Sequence, residues 1–214
     1  MSKHKEEKTN VMRTLEQKKI AYTAHEYPAD GPVDGVSVAG YLGQDPEQVF
    51  KTLVTKGTSG AYYVFDIPVA ENLDLKKAAK AVGEKSIAML PQKELLPLTG
   101  YVHGGCSPVG MKKQFPTVFH ETAELFDTIC VSAGKIGAQV EVNPADLVAL
   151  IDKAIQDNPE NVDLWFGRGR IFYALKDYDQ SIDSFKKVVE LKPDMFEGNY
   201  YLGVFYTIKG DALN

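Results

Sequence analysis

Cysteine is scarce in this sequence of 214 residues, with two in all, and tryptophan occurs once. Cys106 and Cys130 are too few for a disulfide framework, and no Cys/His set stands at the close spacing of a structural zinc site, so no metal is expected. Long apolar runs are also missing. None approaches the roughly 18 residues of a membrane helix. The start, Met1-Ser2-Lys3-His4-Lys5-Glu6, lacks the apolar stretch of a signal peptide. These absences exclude a membrane span and a disulfide-stapled secreted fold, and a cytoplasmic protein is expected. An excess of cations is missing too. With 24 Lys and Arg against 29 Asp and Glu the net charge is −5, which excludes a broadly basic nucleic-acid binder. What is present is ordinary: 44% apolar, 10% aromatic and 25% charged residues, enough chain for one generous domain or one domain with an appendage.

The familiar catalytic signatures are absent as well. There is no His-Glu-x-x-His, no Gly-x-Ser-x-Gly, no phosphate-binding glycine loop ending in Lys-Ser/Thr and no Cys-x-x-Cys. His4, His25, His103 and His120 are scattered singly. No cofactor is expected.

The hydrophobic pattern supplies the fold class. Val11, Met12, Leu15 and Ile20 fall near helical spacing behind Thr9-Asn10. β-rich runs follow at 22–27, 50–56, 61–69, 86–90, 117–120, 128–132 and 138–142. Asp45-Pro46-Glu47 reads as a helix start and Leu75 to Val82 as a helix ended by Gly83. Strands outnumber helices and lie too close for regular βαβ crossovers, so an α+β domain with a mixed, barrel-like sheet and flanking helices is expected. A helix from Asn143-Pro144 to about Asp157 would close it.

Beyond that point a period of 34 residues emerges. Asn158-Pro159 recurs as Lys192-Pro193, Gly169 as Gly203, and Phe172 as Tyr206. Trp165, Gly169, Phe172, Tyr178, Phe185 and Pro193 stand where a tetratricopeptide repeat places its large, small, aromatic and terminating residues. The sequence thus predicts helices over 162–175 and 178–191 and a third helix beyond: about one and a half repeats. The expected division is the α+β domain over 1–157 and a repeat segment over 158–214. One and a half repeats do not bury their own faces, so the closing helix of the first domain is expected to pack on them, with Leu202, Phe205 and Ile208 on the unpaired far face.

Three features of the first domain point to chemistry. Lys51 interrupts an apolar strand, Val49-Phe50-Lys51-Thr52-Leu53-Val54, where an uncompensated charge costs several kcal/mol. The run 100–110, centred on Gly104-Gly105-Cys106-Ser107-Pro108, has the glycines that let backbone amides converge on an anion. Ser132-Ala133-Gly134-Lys135 is a second small-residue turn carrying a cation.

Phe50-Lys51-Thr52-Leu53, Leu73-Asp74-Leu75-Lys76-Lys77-Ala78-Ala79, Gly104-Gly105-x-Ser107-Pro108-x-Gly110 and Ser132-Ala133-Gly134-Lys135, in this order, closely resemble the YbaK family of aminoacyl-tRNA deacylases. The resemblance covers roughly residues 8–150. It implies a trans-editing enzyme that removes cysteine from Cys-tRNA(Pro), in some members from Cys-tRNA(Cys), with the substrate's own thiol attacking its ester to give a thiolactone. Related editing domains remove alanine from Ala-tRNA(Pro) instead.

Carried over by the resemblance, Lys51 is the essential lysine, and Gly104 with Gly105 the loop beside the scissile ester. Tyr27, Thr52, Ser107, Pro108, Ser132, Gly134 and Lys135 are substrate-side residues. Gln139 departs from the aspartate of some members. The implied partners are aminoacyl-tRNA and prolyl-tRNA synthetase, with a protein partner or self-association through the repeats. An adaptor that binds tRNA and a synthetase without catalysis is the rival reading. Between Lys76 and Lys113 seven lysines face two glutamates, a local balance of +5 that suits transient contact with a phosphate backbone.

Overall fold

The computed structural model describes residues 8–31, 34–113, 115–147, 159–174 and 177–208. Helix α1 (Asn10–Gln17) begins where Thr9 accepts the Met12 amide proton on its side chain, and it buries Val11, Met12 and Leu15. Strand β1 (Tyr22–Glu26) follows, then α2 (Gly35–Leu42), β2 (Phe50–Gly57), β3 (Tyr62–Pro68), α3 (Leu75–Ala81), β4 (Ile87–Met89), α4 (Gln92–Thr99), β5 (Thr117–Phe119), β6 (Ile129–Ser132) and β7 (Ala138–Val142).

The strands form two sheets, β1-β7-β6 and β4-β2-β3-β5. All pairings are antiparallel except β3 with β5. A parallel bridge between Val49 and Cys130 joins the sheets, supported by the Cys130 amide on the Gln48 carbonyl at 3.0 Å. The expected mixed, barrel-like sheet is thus built from two sheets that meet at this bridge.

Period-2 alternation gives this sheet two different faces. Phe50, Val54, Val64, Ile129, Val131, Val140 and Val142 point to the main core, packed against α1 and the 101–115 segment. Val49, Lys51, Cys130, Ser132, Gln139, Glu141 and His25 share the opposite face, by their register across β2, β6, β7 and β1. Along that face Ala39 of α2 packs on Val49, Val69 and Cys130, and Ala78 and Ala79 of α3 pack on Tyr63 and Phe65.

Two helices escaped the sequence reading for physical reasons. The residues of α2, Gly-Val-Ser-Val-Ala-Gly-Tyr-Leu, have poor intrinsic helix propensity. The helix persists because the Asp34 carboxylate caps the Ser37 amide at 2.9 Å and because Gly35 lies flush on Val69, where a Cβ would come within 2.3 Å of a methyl. Helix α4 carries Pro97 inside it and ends at left-handed Gly100. The helix expected at Asp45-Pro46-Glu47 is only a turn, closed by the Gln48 and Val49 amides on the Asp45 carbonyl. At the end of the domain a 3-10 turn spans Pro144–Leu147. The rest of the expected closing helix, and with it the packing of that helix on the repeats, lies outside the described residues.

The C-terminal segment folds as expected into α5 (Val162–Ala174), α6 (Tyr178–Leu191) and α7 (Phe196–Ile208). Small residues set the approach of α5 to α6. Buried Ser181 donates to the Gly169 carbonyl at 2.6 Å, and a Cβ on Gly169 would meet the Phe185 ring at 2.9 Å. Phe185 stacks on Tyr201 with ring centroids 4.6 Å apart. Phe205, expected on the unpaired face, is instead fully buried beside Phe185 and Tyr178, because α7 turns its aromatic stripe into the hairpin groove. The exposed aromatics of α7 are Phe196 and Tyr200. Helix α5 lies along β5, the edge strand of the four-stranded sheet, with Gly167 beside the Thr117 carbonyl. That placement covers an edge that would otherwise pair with other chains.

Candidate active site

Lys51 stands on the non-core face of β2, half-buried, and donates from Nζ to the Val69 carbonyl at 3.0 Å. Burial lowers its pKa below the usual lysine value, and the Glu71 carboxylate opposes that shift without cancelling it. Two residues beyond the Val49–Cys130 bridge, Lys51 and Ser132 occupy matching positions on adjacent strands and the same face. Ser132 pairs with Gln139 across β6 and β7, and Gln139 pairs with His25 across β7 and β1. Tyr27 continues β1 past its end through its amide on the Gly137 carbonyl at 2.9 Å.

The glycine loop packs on the turn that joins β6 to β7. A Cβ on Gly105 would come within 3.1 Å of the Lys135 and Ile136 backbone, so a side chain there would push the loops 104–105 and 134–137 apart by a few tenths of an ångström. Gly134 is left-handed (φ +87°) and lies against Tyr101 and Val11, and its amide donates to Ser132 Oγ at 3.2 Å. Gly104 is left-handed and exposed. Among the described residues its amide makes no hydrogen bond, whereas the Gly105 amide is held by the Val102 carbonyl at 3.1 Å. Of the two expected oxyanion donors, only Gly104 has its N–H available.

Ser132, Gly134, Lys135, Gly104, Gly105 and Tyr27 thus gather around the β6–β7 turn, while Lys51 sits on the neighbouring strand with its amine on the Val69 carbonyl. Lys135 is exposed at its rim, 4.0 Å from Glu26. Three other sequence candidates point elsewhere. Thr52 is on the core face and donates to Asp66 Oδ1 at 2.7 Å. Ser107 is fully buried and accepts the Val109 amide proton at 3.3 Å, and Pro108 is buried beside it. These three shape the wall behind the site.

Neither cysteine is an activated nucleophile. Cys106 is buried, and desolvation first, then the nearby Asp66 carboxyl, pushes its thiol up to about 12. Cys130 is likewise pushed up to about 12 by burial. Gln139, the departure from the family pattern, is buried on the site face with Oε1 lacking a hydrogen-bond partner. Sequence reasoning overlooked the pair His25 Nε2 and Glu141 Oε2, 2.8 Å apart, because only the strand register unites them.

This α+β domain of two joined sheets, with a half-buried lysine on one strand and a glycine loop packed on the β6–β7 turn, is followed by a helical hairpin and a third helix. The chain belongs to the aminoacyl-tRNA editing domain family, which matches residues 33–150, and the tetratricopeptide repeat family matches residues 162–195. A protein of Enterococcus faecalis (strain ATCC 700802 / V583), provisionally named a Cys-tRNA(Pro)/Cys-tRNA(Cys) deacylase, EbsC, is 47% identical over 152 residues, covering 70% of this chain and 93% of its own. The crystal structure of a provisionally assigned trans-editing enzyme for prolyl tRNA synthetase superposes with a TM-score of 0.60 at 28% identity, over 66% of this chain and 88% of that one. That of the hypothetical protein APE2540 shares the fold, with a TM-score of 0.60 at 21% identity, over 65% and 91% of the two chains. Among the described residues no helix is long and apolar enough to cross a membrane.

Proposed function

We propose that this chain is a trans-editing deacylase that removes cysteine from mischarged Cys-tRNA(Pro), with Cys-tRNA(Cys) as a second substrate. The named activity of the 47% identical relative supports the substrate. What supports the mechanism is that both protein thiols are buried and that burial pushes each up to about 12, so neither is poised to attack an ester. In this reading the nucleophile is the substrate's own thiol, as the family resemblance implies. Its sulfur attacks the ester carbonyl, the bond from that carbon to the ribose oxygen breaks, and the thiol proton passes to the ribose oxygen. The products are a cysteine thiolactone and free tRNA. Intramolecular attack gains large effective molarity once the aminoacyl end is held in an attack geometry.

In this reading Tyr27, Ser132, Gly134 and Lys135 hold the aminoacyl end, and the Gly104 amide donates to the developing oxyanion. Such a donor contributes roughly 3 kcal/mol in other acyl-transfer sites. Lys51 supplies positive potential beside the ester or the terminal phosphate. Thr52, Ser107 and Pro108 support the wall. The working unit is 1–157, and the repeat segment 158–214 is the place for a contact with prolyl-tRNA synthetase or a second copy, tested by whether pull-down or self-association is seen with the full chain and lost in 1–157.

The deciding assay compares cysteinyl, seryl and alanyl esters of tRNA(Pro). Fast release from the cysteinyl ester alone supports self-cleavage, since a hydroxyl is a far poorer nucleophile than a thiol. Equal release from the seryl ester rules that mechanism out, and preferential release from the alanyl ester replaces the substrate assignment.

A further inference from the structure

We infer that His25, Cys130 and Glu141 form a binding site for a zinc ion on the three-stranded sheet. The three residues lie far apart in sequence, which hides them from any spacing rule. Their union comes from β7 running between the other two strands. Glu141 faces Cys130 directly across β6 and β7, and His25 lies one diagonal step away on β1, opposite Gln139. Alternation puts all three side chains on one face. Their ligand atoms, an imidazole nitrogen, a thiol sulfur and a carboxylate oxygen, lie within 4.8 Å of one another. Tetrahedral zinc with bonds of about 2.0–2.3 Å needs its ligands about 3.3–3.8 Å apart, within reach of small rotamer adjustments.

The donor set selects the metal class. A thiolate with an imidazole suits zinc and disfavours magnesium and calcium, which require oxygen ligands. The charges also balance: one thiolate and one carboxylate neutralise a divalent ion, so the occupied half-buried site carries no net charge. Support for the ligands is already built. Thr128 Oγ1 donates to Glu141 Oε1 at 2.5 Å, and Gln48 Nε2 donates to the Thr128 carbonyl at 2.7 Å, fixing the carboxylate as outer groups fix ligands in known metal sites.

Gln44 offers the fourth position. Its Nε2 lies 3.3 Å from Cys130 Sγ and its buried Oε1 has no hydrogen-bond partner, so a half-turn of the amide sets an oxygen donor beside the sulfur. The His25 and Glu141 side chains are 27% and 28% exposed, which gives the ion a path from solvent. Binding breaks the Cys130 S–H bond, forms a Zn–S bond and releases the proton to water, so affinity rises with pH. The bound ion would clamp β1, β7 and β6 together beside Ser132 and Gln139, independently of whether the editing reaction is as proposed.

The test uses the untagged full-length chain stripped with a chelator, then titrated with Zn²⁺ against a competing indicator and separately with Co²⁺. One equivalent of zinc per chain is expected at micromolar concentration, with a thiolate-to-cobalt charge-transfer band in the cobalt form. Cys130→Ser is expected to remove the band and weaken zinc at least tenfold, His25→Ala to weaken zinc at least tenfold, and Cys106→Ser to change neither. Excess Mg²⁺ should not compete. Absence of stoichiometric zinc, or an unchanged band and affinity in Cys130→Ser, overturns the site. Should Cys130→Ser fail to fold, His25→Ala on the sheet edge decides, and unchanged zinc affinity there overturns it equally.

Discussion

Lys51 donates from Nζ to the carbonyl oxygen of Val69, 3.0 Å away, at the point where β3 has just ended and β2 begins. A half-buried amine with a neutral acceptor is held more loosely than an ion pair, and burial lowers its pKa. Such a lysine is retained at a cost in stability. Lys51→Met is expected to abolish deacylation by two orders of magnitude or more while raising the melting temperature. The sign follows from linkage: the unfolded state holds this proton more tightly than the folded one, so wild-type stability rises with pH through the alkaline window below the unfolded pKa, and the variant lacks that rise. Turnover assays and thermal melts between neutral pH and pH 10 check both halves. A variant that is inactive and also less stable at neutral pH contradicts the account.

Asp66 is fully buried, accepts from Thr52 at 2.7 Å through Oδ1 and leaves Oδ2 without a hydrogen-bond partner. Desolvation raises its pKa to about 8, and the Thr52 hydrogen bond only partly opposes this. Between the unfolded carboxyl value near 4 and about 8 the folded state holds the extra proton. Stability therefore falls as pH rises through that window, by up to about 1.4 kcal/mol per pH unit, and levels off above it. Asp66→Asn should flatten the dependence. Urea unfolding at pH 5 and pH 8 measures it, and equal wild-type midpoints at the two pH values would count against a protonated Asp66.

A groove between α3 and the start of α7 is lined by Lys76, Lys80 and Lys85, with Glu84 and Glu197 among its other residues. It lies within the cation-rich stretch of the sequence. Replacing the three lysines by glutamate is expected to raise KM for aminoacyl-tRNA at least tenfold, leave kcat within about twofold and flatten the dependence of KM on salt, because fewer phosphate contacts release fewer counterions. Steady-state kinetics at two salt concentrations separate this from misfolding, which would lower the active fraction and with it apparent kcat. An unchanged KM removes the groove from the tRNA path.

Gly169 fixes how closely α5 and α6 approach, since any Cβ there lies 2.9 Å from the buried Phe185 ring. Gly169→Val is expected to destabilise the hairpin by about 1–3 kcal/mol through overpacking. The fragment 1–157 should keep kcat and gain a tendency to self-associate, because it uncovers the β5 edge that α5 lies along. Melting curves of the variant and light scattering of the fragment test these outcomes. A fragment that stays monomeric denies α5 its role as an edge cover.

All seven expected strands are present within about a residue or two at each end, because alternation of apolar and polar residues is a local signal that burial of one face enforces. The 34-residue period likewise gave the last three helices, with Tyr178–Leu191 matched at both ends. Helix α2 was not legible, since its weak local propensity is overridden by a cap and by a glycine contact with a distant strand. The turn at Asp45 failed in the opposite direction. A favourable Asp-Pro-Glu start there leads directly into the Val49 bridge and β2, leaving no room for a helix.

The sequence by itself determined the fold family, the repeat, and the presence of Lys51 and two glycine-bearing turns in one domain, because each is written in local spacing. Which side of the wall each residue faces was decided by tertiary structure. Lys51 and Thr52 are neighbours in the chain and end on opposite faces, one on the Val69 carbonyl and one on buried Asp66. Gly104 and Gly105 are likewise neighbours, yet one amide is turned inward to Val102. His25, Cys130 and Glu141 share no local signal at all, and only the order and register of three strands bring them within reach of a single ion.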